Sequence, residues 1–285
     1  MNYYQEFRPR SFTTLPPVIK NLLIINILMF IAKHVFRESL NIDLDSLLGL
    51  HFITAPAFKP YQFVTYLFMH GDLAHLFFNM FAVWMFGSVL ENLWGPKRFL
   101  TYYLITGFGA GLIQYGVFYM QIGPVIESVN AVQNNLSVTS FEELVNTVEF
   151  QSKFSRDFIF QYDDFAREYN AARNESPAKA LSLASQFLID FKHMYLNSHV
   201  VIGASGSLFG LLLAFGMLFP NTLLYIYFLI PLKAKWFVII YGAIELISGL
   251  RSNPEDNVAH FAHLGGMLFG FIMIMIWKKQ RNHFY

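Results

Sequence analysis

The chain contains no cysteine, which excludes disulfides, thiolate nucleophiles and cysteine-ligated metals. Charge is scarce as well. Only 14% of the 285 residues are Asp, Glu, Lys or Arg, and 20 basic against 19 acidic side chains leave a net charge of +1. That balance offers no basic footprint for nucleic acid. No H-E-x-x-H stretch is present, so the usual helical zinc-hydrolase site is excluded. An internal repeat of the kind on which transporters are built is also missing. In place of all these stand hydrophobic residues at 55% and aromatics at 18%, with a mean hydropathy of +0.40. Those proportions describe a polytopic membrane protein rather than a soluble domain.

The apolar runs divide the chain. Residues 1–17 are a short polar segment with Arg8 and Arg10, expected on the cytoplasmic side. Residues 18–121 are expected to hold three membrane helices, at about Val18–Val35, Asp72–Leu93 and Lys97–Met120. The first lacks a small-residue cleavage site and reads as a retained span. Between it and the second, Arg37–Lys59 mixes apolar residues with Pro56 and Pro60, as a loop at the membrane interface would. Residues 122–198 turn polar and charged, with Glu142, Glu143, Glu149, Arg156, Asp157, Asp163, Asp164, Arg167 and Glu168, and must lie outside the bilayer. Ser140-Phe141-Glu142-Glu143 predicts a capping box and Ser176-Pro177 an N-cap followed by proline at N1. Phe154, Phe158, Phe165 and Tyr169 are spaced for one inward stripe. Residues 199–277 are expected to hold three more spans, interrupted by the apolar surface segment Leu223–Leu232, and 278–285 form a basic tail. The fold class expected is therefore an all-α membrane protein, a six-transmembrane-helix bundle with an inserted extramembrane helical subdomain. With six spans, Lys20, Lys97, Arg98, Lys233, Lys235, Lys278, Lys279 and Arg281 share one side, which the positive-inside rule assigns to the cytoplasm.

Polar residues inside apolar helices are costly and mark candidate sites. Ser205, in Gly203-Ala204-Ser205-Gly206, opens an apolar run, so its neighbourhood carries the free N–H groups and positive dipole of a helix start. His263 lies early in the last run, with Gly266 and Gly270 at i+3 and i+7 on its own face. Gly206 and Gly210 follow Ser205 in a similar way, so both helices carry small-residue strips that permit close backbone approach. Two readings are open: a serine nucleophile with a histidine base, or glycine strips that serve packing alone. His75 and Asn79 share a face of the second helix, as active groups or as hydrogen-bonding partners of neighbouring helices. His70 precedes that helix and is expected to organise its loop. Glu91 reads as a cap or ion-pair residue at the membrane surface. Glu245 reads as a gating or pairing acid, or as a buried hydrogen-bonded one. Ser205, His263, His75 and Asn79 all fall early in helices that start from the same side, and so at similar depth.

Together these pieces resemble the rhomboid family of intramembrane serine proteases. The residues that carry the resemblance are His70-Gly71-Asp72-Leu73-Ala74-His75-Leu76-Phe77-Phe78-Asn79, Glu91, Gly203-Ala204-Ser205-Gly206, and Ala262-His263-Leu264-Gly265-Gly266 with Gly270. The resemblance implies Ser205 as nucleophile and His263 as general base, a dyad without an orienting carboxylate. It implies His75, Asn79 and the Ser205 backbone N–H as the oxyanion hole, with His70, Phe209, Gly203, Gly206, Gly266 and Gly270 in support. His260, one turn before His263, is the rival base, and the spacing to Gly266 and Gly270 favours His263. Phe209 replaces a tyrosine that many relatives stack on the histidine. Tyr61-Gln62 replaces a Trp-Arg pair, and the 122–198 insertion is longer than the usual connection.

The resemblance further implies hydrolysis of transmembrane protein substrates within the lipid bilayer through an acyl-enzyme, with no cofactor, metal or nucleic acid. The alternative is a catalytically silent relative that binds transmembrane helices. Tyr162-Asp163 stands in the polar insertion and has no second aspartyl-protease motif in a helix. The short termini suggest a bacterial inner membrane.

Overall fold

The computed structural model describes residues 12–154, 156–226, 229–251 and 258–282. Arg8 and Arg10 lie outside the described residues, as do the side chains of Glu149, Arg156, Asp157 and Arg281. The described chain is mostly helical and forms two compact units. One comprises Met1–Leu50, Pro60–Gln114 and Val201–Tyr285, and the other His51–Lys59 and Tyr115–Val200.

Helix α1 (Pro17–Leu40) starts with proline at N1, where its missing N–H is no loss, and stops at Asn41 in the left-handed conformation at φ 54. Its first turn is capped from a distance: the Glu91 carboxylate accepts the Val18 and Ile19 N–H groups at 2.9 Å each. The cap expected at Glu91 is thus a cap on another helix. Two short helices, α2 (Leu44–Leu48) and α3 (Gln62–Thr65), and a 3-10 turn at Tyr66–Phe68 lead to α4 (Leu73–Trp94). The N-cap of α4 is Asp72, whose side chain accepts the His75 N–H at 2.8 Å; that bond holds the Asp72 carboxyl below the usual carboxylate range. Gly95, at φ 80, ends α4, and Pro96 opens α5 (Pro96–Asn134) at once.

Helix α5 corrects the expected end near Met120. It continues to Asn134 with Pro124 inside it, because the change to polar composition altered the helix's surroundings rather than its backbone. Within the second unit follow α6 (Val138–Val145), α7 (Val148–Gln151), α8 (Arg156–Glu175) and α9 (Pro177–Ser198). The capping box is one turn earlier than expected: Ser137 is the N-cap and Ser140 its N3 partner. Ser176 and Pro177 start α9 as expected, with the Lys179 N–H donating to Ser176 Oγ. Of the expected stripe, Phe158, Phe165 and Tyr169 lie on α8, while Phe154 precedes the helix and packs against Phe158 at 5.3 Å. Phe158, Phe165 and Tyr169 meet Phe141, Phe187 and Phe191 in an aromatic core, where Phe165 and Phe187 stack at 4.3 Å.

In the first unit, α10 (Ser205–Leu218) is buried along almost its whole length. An antiparallel hairpin, Leu223–Ile226 against Ile230–Lys233, occupies the stretch expected as an apolar surface segment. Then come α11 (Ala234–Arg251) and α12 (His260–Asn282). Leu208, Leu211, Leu212 and Phe215 of α10 share one core with Val83 and Phe86 of α4, Tyr102 and Tyr103 of α5, and Ile274 of α12. Among the described residues, three helices are long and apolar enough to cross a membrane: α1, α4 and α12 over His260–Lys279. Fourteen residues make α10 only about 21 Å long at 1.5 Å per residue. The 18 residues of α11 carry Lys235, Glu245 and Arg251. Large apolar side chains stand exposed on the long helices, Leu28 and Ile31 on α1, Phe77 and Phe78 on α4, and Ile272 and Ile276 on α12, as they would against lipid.

Candidate active site

Glycine is what brings α10 and α12 together. A methyl group placed on Gly266 would lie 1.9 Å from the Gly206 carbonyl oxygen, and one on Gly270 would lie 2.3 Å from the Tyr102 hydroxyl. One on Gly206 would meet Ala110 at 2.4 Å, so α5 closes in from the other side. Backbones this close let short side chains span the gap. Ser205 Oγ and His263 Nε2 are 2.8 Å apart, and the ring of Phe209 stacks on the His263 imidazole at 4.2 Å and 7°. Stacking therefore survives the replacement of tyrosine by phenylalanine.

Ser205 is the first residue of α10 and Ala204 its N-cap, so the Ser205 N–H has no intrahelical acceptor. The turn before it needs Gly203 twice over. Its φ of +122 is strained for any residue with a side chain, and a methyl there would sit 3.0 Å from His75 Nε2 and 3.7 Å from Ser205 Oγ. A small space bounded by the serine and His75 is thereby kept clear. Asn79, one turn beyond His75 on α4, is buried, and its Nδ2 has no hydrogen-bond partner among the described residues. An unpaired buried amide is costly and calls for a ligand group.

The loop that precedes α4 and His75 is anchored by a buried lysine. Lys33 Nζ donates to the His70 and Gly71 carbonyls at 2.8 and 2.9 Å and pairs with Asp45. The His70 ring is buried edge-on to His75 at 5.0 Å. Desolvation, reinforced by His75, pushes its pKa down to about 3, so it is neutral at physiological pH. It is the His70 carbonyl, and not its ring, that takes the Lys33 hydrogen bond holding this loop.

Glu245 corrects one part of the sequence reading. The His263 side chain does have a carboxylate beside it: Glu245 Oε2, on α11, lies 2.8 Å from His263 Nδ1 and 2.6 Å from His260 Nδ1. Its burial agrees with the hydrogen-bonded alternative, and His260, the rival base, bonds to the same carboxylate oxygen. A signal was present, because His260 and His263 are three apart and share a helix face, and a buried acid in an apolar helix needs such partners. Their sequence separation from Glu245 left the pairing open. These three are also the ligand types a metal would use, with ligand atoms within 4.8 Å of one another. Two donors on one zinc-like ion sit about 3.3 Å apart at bond lengths near 2.0–2.1 Å, whereas contacts of 2.6 and 2.8 Å are hydrogen-bond lengths. The cluster fits shared protons better than a shared ion.

A family model described as Rhomboid domain matches residues 57–125 and 179–280, leaving most of the second compact unit between the two stretches. An Arabidopsis thaliana protein named Rhomboid-like protein 11, chloroplastic, is 34% identical over 33% of this chain and 31% of its own length. An uncharacterized mitochondrial rhomboid protein of Schizosaccharomyces pombe is 24% identical over 76% of this chain and 51% of its own. The mitochondrial RHOMBOID-like protein 6 of Arabidopsis thaliana is 29% identical over 33% and 30%. The chain thus matches between 30% and 51% of the length of these relatives. Their chloroplastic and mitochondrial names give no support to the bacterial inner membrane expected from the termini.

Proposed function

This chain belongs to the rhomboid family, and on that premise we propose that it is an intramembrane serine endopeptidase that cleaves membrane-protein substrates in or near their transmembrane segments. The observation that carries the proposal is the 2.8 Å contact between Ser205 Oγ and His263 Nε2 at the start of a helix. A serine hydroxyl attacks a peptide carbonyl only when a base removes its proton, and an imidazole nitrogen at hydrogen-bond distance can do so. In the reaction, Ser205 Oγ bonds to the scissile carbonyl carbon while its proton passes to His263 Nε2. The oxyanion receives hydrogen bonds from the Ser205 N–H, the Asn79 amide and His75 Nε2–H. His263 then gives the proton to the leaving amine. Water, activated by the same imidazole, hydrolyses the acyl-enzyme and releases Ser205.

The unpaired Asn79 amide and the space that Gly203 keeps clear support this assignment of the oxyanion hole. A helix-binding scaffold would need neither of them. Six spans, α1, α4, α5, α10, α11 and α12, would place Lys97, Arg98, Lys233, Lys235, Lys278 and Lys279 on one membrane side and the serine toward the other. A helical substrate has its backbone satisfied internally, so cleavage requires local unwinding, and segments with Gly, Ser or Pro near the membrane surface should be preferred.

The test is reconstitution in vesicles with a panel of single-span proteins that differ in such residues. The expected result is cleavage near the membrane surface, mapped by mass spectrometry, absent in Ser205→Ala and strongest where the span is weakest as a helix. Cleavage that persists unchanged in Ser205→Ala would refute it.

A further inference from the structure

Resting on the serine-protease reading, the hydrogen bonds behind the imidazole carry a further step. Glu245 is 5% exposed, inside α11, and one of its oxygens faces both Nδ1 atoms of α12. An ionised carboxylate can only accept, so both rings must donate Nδ1–H to it. A protonated carboxyl would instead donate its single O–H to one ring and accept from the other, and the ring that received it would carry its own proton on Nε2. With its proton held on Nδ1, neutral His263 presents a bare Nε2 to Ser205, and the serine hydroxyl donates to it. That is the tautomer a general base requires. The opposite one would point Nε2–H at Oγ and leave nothing to take the proton.

We infer that Glu245 is a positioning residue: it fixes the tautomer and orientation of His263, so that Ser205, His263 and Glu245 act as a hydrogen-bonded triad, and His260 locks the carboxylate in place. Glu245 touches no reacting atom. Its effect runs through the imidazole, whose other face is held by Phe209. When His263 accepts the serine proton, the imidazolium forms against a carboxylate that is already aligned, and no solvent has to reorganise. His260 answers a separate need. A glutamate has three rotatable bonds, and the 2.6 Å bond from one turn earlier on α12 stops it from swinging away.

The first test needs no variant at this position. In protein labelled with ¹⁵N-histidine and held in detergent micelles above neutral pH, imidazole nitrogen shifts report which nitrogen carries the proton, and His263→Ala and His260→Ala supply the assignments. The expected result is Nδ1 protonated on both rings and Nε2 of His263 bare. The second test is the rate at which a fluorophosphonate labels Ser205. Glu245→Gln should be slower by about 10² or more, by analogy with triads that lose the carboxylate but keep its shape. Glu245→Asp, which restores the charge, should recover part of that rate, while thermal unfolding of both variants stays near that of the parent. His263 protonated on Nε2 in the parent protein, or folded Glu245→Gln labelling within about threefold of it, would overturn the inference. A parent protein whose Ser205 is never labelled would instead overturn the protease reading, whatever its tautomer.

Discussion

Gly266→Ala puts the geometry of the site to a direct test. The added methyl would stand 1.9 Å from the Gly206 carbonyl, while real Cβ contacts essentially never fall below 3.0 Å. The obstacle is main chain, which has no rotamer to adopt. Helices α10 and α12 must therefore separate locally by about 1.1 Å or more. Gly206 adjoins Ser205 and Gly266 is one turn from His263, so much of that separation passes to the 2.8 Å Oγ–Nε2 contact, which opens toward 4 Å. Overpacking of this kind costs about 1–3 kcal/mol of stability, and a 1 Å error in a reacting pair about 10²-fold in rate. Fluorophosphonate labelling of Ser205 reads the rate, and thermal unfolding in detergent reads the stability. Gly116→Ala is the control, because nothing lies within 4 Å of its new methyl and both readouts should stay at parental values apart from helix propensity. Wild-type labelling by Gly266→Ala would refute the claim that glycine contact sets the distance between serine and histidine.

Asn79→Ala should slow substrate cleavage by about 10²–10³-fold, a barrier increase of about 2.7–4 kcal/mol, with little loss of stability because the amide has no partner to lose; steady-state kinetics against a reconstituted substrate read it. Glu91→Ala removes a carboxylate that takes two N–H groups of α1, so unfolding should become easier by roughly 2–4 kcal/mol, with Glu91→Gln intermediate, as measured in detergent titrations. The His70 pKa of about 3 in the folded chain lies below the ordinary value near 6.5. Between those values the unfolded chain binds the extra proton, so this contribution to stability is complete above pH 6.5 and is lost as pH falls toward 3. Melting temperatures should accordingly drop less from pH 7 to pH 5 in His70→Gln than in the parent.

The reactive pair could be read from the sequence because it rests on local features: a serine after a Gly-Ala turn, and glycines at fixed helical offsets from a histidine. Helix starts at Asp72 and Ser176 were legible for the same reason, since a cap and its first turn lie within four residues. What escaped was set by partners distant in sequence or by choices between adjacent caps. Glu91 was recognisable as a cap, but nothing local showed that it caps α1. Ser137 and Ser140 both suit an N-cap, and the pattern alone favoured the later one. The polar residues after Met120 resembled a helix end, yet α5 runs on through Pro124, as a helix can where its surroundings tolerate one missing hydrogen bond. Glu245 was visible as an anomaly in an apolar run, while its attachment to two histidines came only from the packing of α11 on α12.

The central claim is that Ser205 is a nucleophile activated by His263. It is tested most directly by treating the purified, detergent-solubilised protein with a fluorophosphonate and locating the adduct by peptide mass spectrometry, beside Ser205→Ala and His263→Ala. The account predicts an adduct on Ser205 that is lost in both variants. Folded protein that takes up no label, while an active serine protease of the same family is labelled in parallel, would contradict it.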